Sequence, residues 1–80
     1  MNASIEQVKQ AMMKALARKA DELQLTQKEV AVYLGTTQPR VSNIFQGHSD
    51  KFSLDSLYGF MDNLGIEAEF VIDGSYQRAK

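Results

Sequence analysis

Between Gly35 and Gly47 the chain reads GTTQPRVSNIFQG, a stretch equipped for hydrogen bonding and hardly at all for acid–base work. Gln38, Asn43 and Gln46 carry amides, Ser42 carries a hydroxyl, and Arg40 is the one formal charge. An amide donates and accepts together, but it is no proton carrier near neutral pH. Ser42, His48 and Asp50 do supply the residue types of a hydrolytic triad, yet no G-x-S-x-G elbow surrounds the serine. A Gly-rich phosphate loop is also missing, and one histidine with no cysteine builds no zinc motif. The sequence therefore predicts no enzyme, with no catalytic residue, no metal and no cofactor. Taken alone, Gln38, Asn43 and Gln46 are exposed polar positions; a role for them depends on the elements that hold them.

Those elements read as helices. From Ser4 to about Gln24, Ile5, Val8, Met12, Leu16 and Leu23 recur with the 3.6-residue period of an amphipathic helix, filled in by Ala15 and Ala20. This stripe is expected to face a core, with a membrane or partner-protein surface as the other reading. Thr26 and Glu29 form a capping-box signature for a second helix, which should end at Gly35. Thr37 caps a third, running to about Gln46 and stopping at Gly47, and Pro39 falls in its first turn, where a missing N–H costs no intrahelical bond. GHSDKF reads as a loop. Ser53 caps a fourth helix, LDSLYGFMDNL, with Asp55 at the positive end of its dipole and Gly65 closing it.

The segment IEAEFVI then switches to period two, with Ile66, Ala68, Phe70 and Ile72 on one face. With no partner strand recognised in the chain, its backbone groups would stay unpaired. An antiparallel match with the same strand of a second copy satisfies them, which predicts a homodimer with those four residues as its dimerisation set. A terminal helix is the competing reading, since short apolar runs are ambiguous. Residues 1–73 are expected to form one domain and 74–80 a flexible tail.

Composition agrees with a small folded protein. The chain has 80 residues, 44% of them hydrophobic and 24% charged. A domain of this size buries only about 60% of its unfolded surface, so dimerisation would help it. No apolar run approaches the ~20 residues of a membrane span and no signal-peptide h-region is present, which predicts a cytoplasmic protein. The net charge of −1 hides a gradient: residues 1–20 carry an excess of three positive charges and residues 52–80 an excess of three negative ones. Such polarity could set a basic face against phosphates and an acidic end against a basic protein, or it could be plain solvation.

Two short helices joined by a tight glycine turn, with Ala31 small at the crossing and Val30, Leu34, Val41 and Ile44 filling the space between them, make a helix-turn-helix. The run TQKEVAVYLGTTQPRVSNIFQG resembles the Xre/Cro family of helix-turn-helix proteins. The longer run from TQPRVSNIFQG through FSLDSLYGF to IEAEFVI is similar to short Xre proteins, many of them antitoxins of type II toxin–antitoxin modules. The resemblance implies a mainly α fold, a lambda-repressor-like helix-turn-helix bundle of about four helices with one C-terminal β-strand pairing across a dimer. It also implies that the third helix enters the major groove of double-stranded DNA. Gln38 matches the family's first base-reading glutamine, Asn43 could read a base in the same way, and Gln27 matches a phosphate anchor. Thr37, Pro39, Ser42 and Gln46 complete the expected contact set. Arg40 could chelate a guanine or clasp a phosphate, and Lys28 and Lys51 touch phosphate or are solvated. Two functions fit. One is an autoregulating repressor and antitoxin that neutralises a small toxin of the RelE/HigB-like ribonuclease type; the other is a stand-alone Cro-like regulator. Bacterial or phage origin, with a nucleoid location, goes with either.

Overall fold

The computed structural model describes residues 4–67 and the backbone of 69–72 and 75–78. Helix α1 spans Ile5–Glu22, α2 Gln27–Leu34, α3 Gln38–Phe45 and α4 Leu54–Asn63, with one 3-10 turn at Ser49–Lys51 inside the expected loop. The polar residue before each α-helix explains where it begins. Ser4 and Thr26 each complete a capping box, with Gln7 and Glu29 respectively. Thr37 accepts the N–H of Arg40 at 3.4 Å, so Pro39 in the first turn displaces no bond, and Ser53 accepts the N–H of Ser56 at 3.1 Å.

All four helices end alike. At the last turn of each, two N–H groups beyond the helix reach back to its free carbonyls, and the bond spanning more residues runs from Leu25 to Ala20, Thr36 to Ala31, His48 to Asn43 and Ile66 to Met61. The residue at the turn needs a positive φ, which Gly35 (67°), Gly47 (80°) and Gly65 (76°) adopt without strain. Gln24 does the same work at 58° with a side chain attached.

The core lies where α1 and α2 each pack against α3 and α4. Leu16, Val30, Val41 and Leu57 are fully buried at its centre, with Met12, Met13, Ala20, Leu34, Ile44, Phe52, Met61 and Leu64 around them. Two residues of the expected α1 stripe lie outside it. Ile5 is 64% and Leu23 47% exposed, because they sit at the ends of an 18-residue helix whose neighbours have 8 to 10 residues. Met13, absent from the stripe, is only 1% exposed. The helix is covered from two sides, by α3 and α4, so its buried arc is wider than one stripe.

The C-terminal segment departs from expectation in two ways. Ile66 belongs to the turn that ends α4, where it packs against the core, and it precedes strand β1 (Glu69–Ile72). That strand pairs antiparallel with β2 (Ser75–Arg78) of the same chain, Glu69 opposite Arg78 and Ile72 opposite Ser75. The strand thus has a partner within its own chain, and the residues expected as a free tail supply it. Ala68, and the side chains of Phe70 and Ile72, lie outside the described residues.

Candidate nucleic-acid interface

Helix α3 is held by its apolar side. Val41 and Ile44, one turn apart, are 0% and 1% exposed, and they meet Val30, Ala31 and Leu34 of α2, also buried. All five residues expected to fill this crossing are buried. Gly35 turns the chain between the two helices, and the Thr36 N–H bonded to Ala31 fixes the angle at which α3 leaves. Seating α3 by those positions leaves its polar residues outward: Thr37, Gln38, Pro39 and Gln46 are exposed, and Arg40, Ser42 and Asn43 half-buried. On α2, Gln27 is half-buried in the first turn and Lys28 is exposed.

The expected contact residues fall into two groups by what already occupies them. Gln27, Gln38 and Asn43 have side-chain amides that make no hydrogen bond among the described residues. An amide held at the surface by the backbone alone keeps its full donor and acceptor capacity for a ligand. Ser42 and Gln46 are instead joined, Gln46 Nε2 donating to Ser42 Oγ at 3.1 Å, while His48 Nε2 lies 2.9 Å from Gln46 Oε1. His48 was legible in the sequence only as a loop residue.

Arg40 is also engaged. Its guanidinium carbon sits 4.4 Å from the centroid of the Phe52 ring, and its Nη1 donates to the Lys51 carbonyl at 3.2 Å. Phe52 is 4% exposed and meets Phe60 edge to face, with centroids 6.3 Å apart, so the ring is a fixed platform. Arg40 therefore ties α3 to the segment that enters α4. Lys51 projects from that same segment as an exposed cation.

Helix α1 braces the far end of α3. Gln10 Nε2 donates to the Gly47 carbonyl at 3.0 Å, Lys9 Nζ to the Ser49 carbonyl at 3.4 Å, and the Ser49 hydroxyl to the Glu6 carboxylate at 2.6 and 2.7 Å. A Cβ on Gly47 would lie 3.2 Å from Gln10 Oε1, so the close approach of α1 adds to the positive φ in favouring glycine there. The hydrogen bond from Ser49, then that from Gln10, and last the charge of Lys9 hold the Glu6 carboxyl below its ordinary range, with desolvation acting against them. No local sequence signal could have found this clamp, because its partners are 37 to 43 residues apart. The basic residues of α1 divide between two sides. Lys14 borders a cleft of about 200 Å³ with Gln46 and Gly47 at the end of α3, whereas Arg18 and Lys19 line another beside Gly65, Ile66 and Glu67.

Among the described residues no cluster of three or more His, Asp and Glu side chains could hold a metal ion, and no helix is long and apolar enough to cross a membrane. No curated protein and no solved structure matches the chain. A family model described as a helix-turn-helix domain does match, over residues 1–73, the span that contains α1 to α4 and strand β1. The chain belongs to this helix-turn-helix domain family.

Proposed function

We propose that the protein is a sequence-specific repressor that binds double-stranded DNA through the major groove. The observation that carries this reading is the seating of α3: its apolar residues are spent on α2 and the core, while the amides of Gln38 and Asn43 face outward unpaired. Gln38 and Asn43 read base edges, Gln27 and Lys28 anchor phosphates from α2, and Thr37 and Pro39 lie against the groove at the start of α3. The weak charge of α3 suits this division, because base reading needs hydrogen bonds and cations elsewhere supply affinity.

The repressor acts as a homodimer on a palindrome. Strand β1 pairs with β2 on one edge only in this sheet, and the other edge offers backbone groups to a second copy about a two-fold axis, giving a four-stranded sheet. Within this reading the chain is the antitoxin of a type II module, repressing its own operon and neutralising a toxin of the RelE/HigB-like ribonuclease type. The likeness of its sequence to short Xre antitoxins and the acidic balance of residues 52–80, suited to a basic partner, support that role. A stand-alone Cro-like regulator is the alternative, and co-purification with the product of the adjacent reading frame separates the two.

Selection from random duplexes tests the DNA reading. The bound pool should converge on half-sites about 34 Å apart, one helical turn. Gln38→Ala should cost about 1–3 kcal/mol and relax one base pair, whereas Lys28→Ala should weaken all sequences alike and flatten the salt slope. Equal losses by both variants on random DNA refute base reading by Gln38.

A further inference from the structure

We propose that the outward face of α4 is the surface on which a basic protein partner docks, with the partner's backbone seated on Gly59 between two of its cations. This rests on the antitoxin reading and names the surface which that reading leaves open.

Helix α4 packs inward against α1 and α2, with Leu57 and Met61 buried. Asp55, Tyr58, Gly59 and Asp62 are all exposed, and their helical spacing sets them on one face. Two of the four weaken the helix they stand in. Gly59 lies in mid-helix, where only proline is less favourable, and among the described residues a Cβ placed there meets no atom within 4 Å. Neither a left-handed turn nor a close neighbour in the chain calls for glycine there. Asp62 stands in the last turn, at the negative end of the helix dipole, with no Lys or Arg in that turn to offset it. Neither Asp55 nor Asp62 has an ion pair among the described residues. Residues that break a local rule with no return inside the fold mark a surface shaped for something outside it.

The occupant follows from charge. Helix α4 holds two aspartates and no Lys or Arg, and residues 52–80 carry an excess of three negative charges. Such a face repels DNA, and a second copy turned face to face would set aspartate against aspartate. Arg18 and Lys19 of α1 share a cleft with Glu22 and Glu67, and Lys19 already lies 4.0 Å from Glu22. A basic protein is the occupant that remains. Asp55 and Asp62 stand two turns apart, about 10 Å along the axis, so the fitting partner offers two Lys or Arg side chains at that spacing. Between them the bare backbone at Gly59 admits a main-chain segment closely, and the exposed Tyr58 adds an aromatic contact.

The probe is the product of the reading frame adjacent to this gene, titrated with the full chain. Gly59→Ala should raise the Tm of the free protein by about 4 °C, because alanine is the better helix former, and yet weaken the complex about fivefold. Gly59→Leu should weaken it about tenfold or more, while the free protein stays folded and binds a selected duplex as the wild type does. Loss of binding joined to a gain in stability cannot come from a damaged helix. Asp55→Asn combined with Asp62→Asn should slow association about tenfold at low salt and flatten its salt dependence. The proposal is overturned if the wild type binds the probe and Gly59→Leu binds it equally well, or if the aspartate variant keeps the salt dependence. It is also overturned if Gly59→Leu changes the oligomeric state of the free protein, which would make a second copy the occupant. A wild type that does not bind the probe refutes the antitoxin reading, and this inference falls with it.

Discussion

Replacing Arg40 by alanine decides between two roles for the only charged residue of α3. In the structure its guanidinium lies 4.4 Å over a ring that is itself buried, and donates at 3.2 Å to the Lys51 carbonyl. A cation over an aromatic face at a partly exposed site contributes about 0.5–1 kcal/mol. The hydrogen bond adds about 0.5–1 kcal/mol, the lower part of the usual range because the carbonyl is solvent-accessible. Ordering the long side chain costs part of this, so Arg40→Ala should destabilise the fold by about 1 kcal/mol. For a domain of this size that lowers Tm by about 4–8 °C. Phe52→Leu alone loses more, since it also removes the edge-to-face contact with Phe60. The pair measured together isolates the stack, and its coupling energy should be about 0.5–1 kcal/mol. Thermal unfolding by circular dichroism of the four proteins gives this number. Additivity within about 0.3 kcal/mol refutes the stack. An unchanged Tm for Arg40→Ala, joined to loss of preference at one base pair, would show instead that the guanidinium reads a guanine.

Three further outcomes follow from the geometry. Gln24→Gly should raise stability by about 0.5 kcal/mol, the relief of a side chain at φ 58° exceeding the entropy that glycine adds to the unfolded chain; a β-branched Gln24→Val should lower it, and the opposite order in thermal melts would sink the idea. The Glu6 carboxyl titrates below its ordinary value when folded, so its contribution is present above the unfolded pKa and disappears as pH falls through the folded one. The Tm advantage of the wild type over Ser49→Ala should accordingly shrink as the solution is taken below the ordinary carboxylate range, and an NMR titration should show the Glu6 pKa rising in that variant. Ala31→Leu, at a buried position of the α2–α3 crossing, should cost about 1–3 kcal/mol through overpacking and weaken DNA binding beyond what Tm alone accounts for; a tolerated leucine would mean that α3 is not seated as described.

What the sequence determined by itself is local. Thr26 with Glu29, Thr37 before Pro39, Ser53, and the glycines at 35, 47 and 65 are short-range signals, acting within a turn of the chain, and they place α2, α3 and α4. The apolar spacing of Val30, Ala31, Leu34, Val41 and Ile44 likewise specifies which side of α3 is buried, because helical periodicity fixes a face without reference to distant residues. The end of α1 was less legible, since Gln24 takes a conformation normally left to glycine.

Tertiary structure decided the rest. Whether Arg40 is free or stacked depends on Phe52, which the chain brings back only after the loop; whether Gly47–Ser49 is loose or clamped depends on Glu6, Lys9 and Gln10, at the opposite end of the sequence. The pairing of β1 shows the same limit at shorter range. The apolar alternation marks a strand, but an alternating pattern names a face and not a partner, and the partner proved to be SYQR of the same chain. Local chemistry sets which side chains are presented, and packing between distant segments sets which of them are still free to bind.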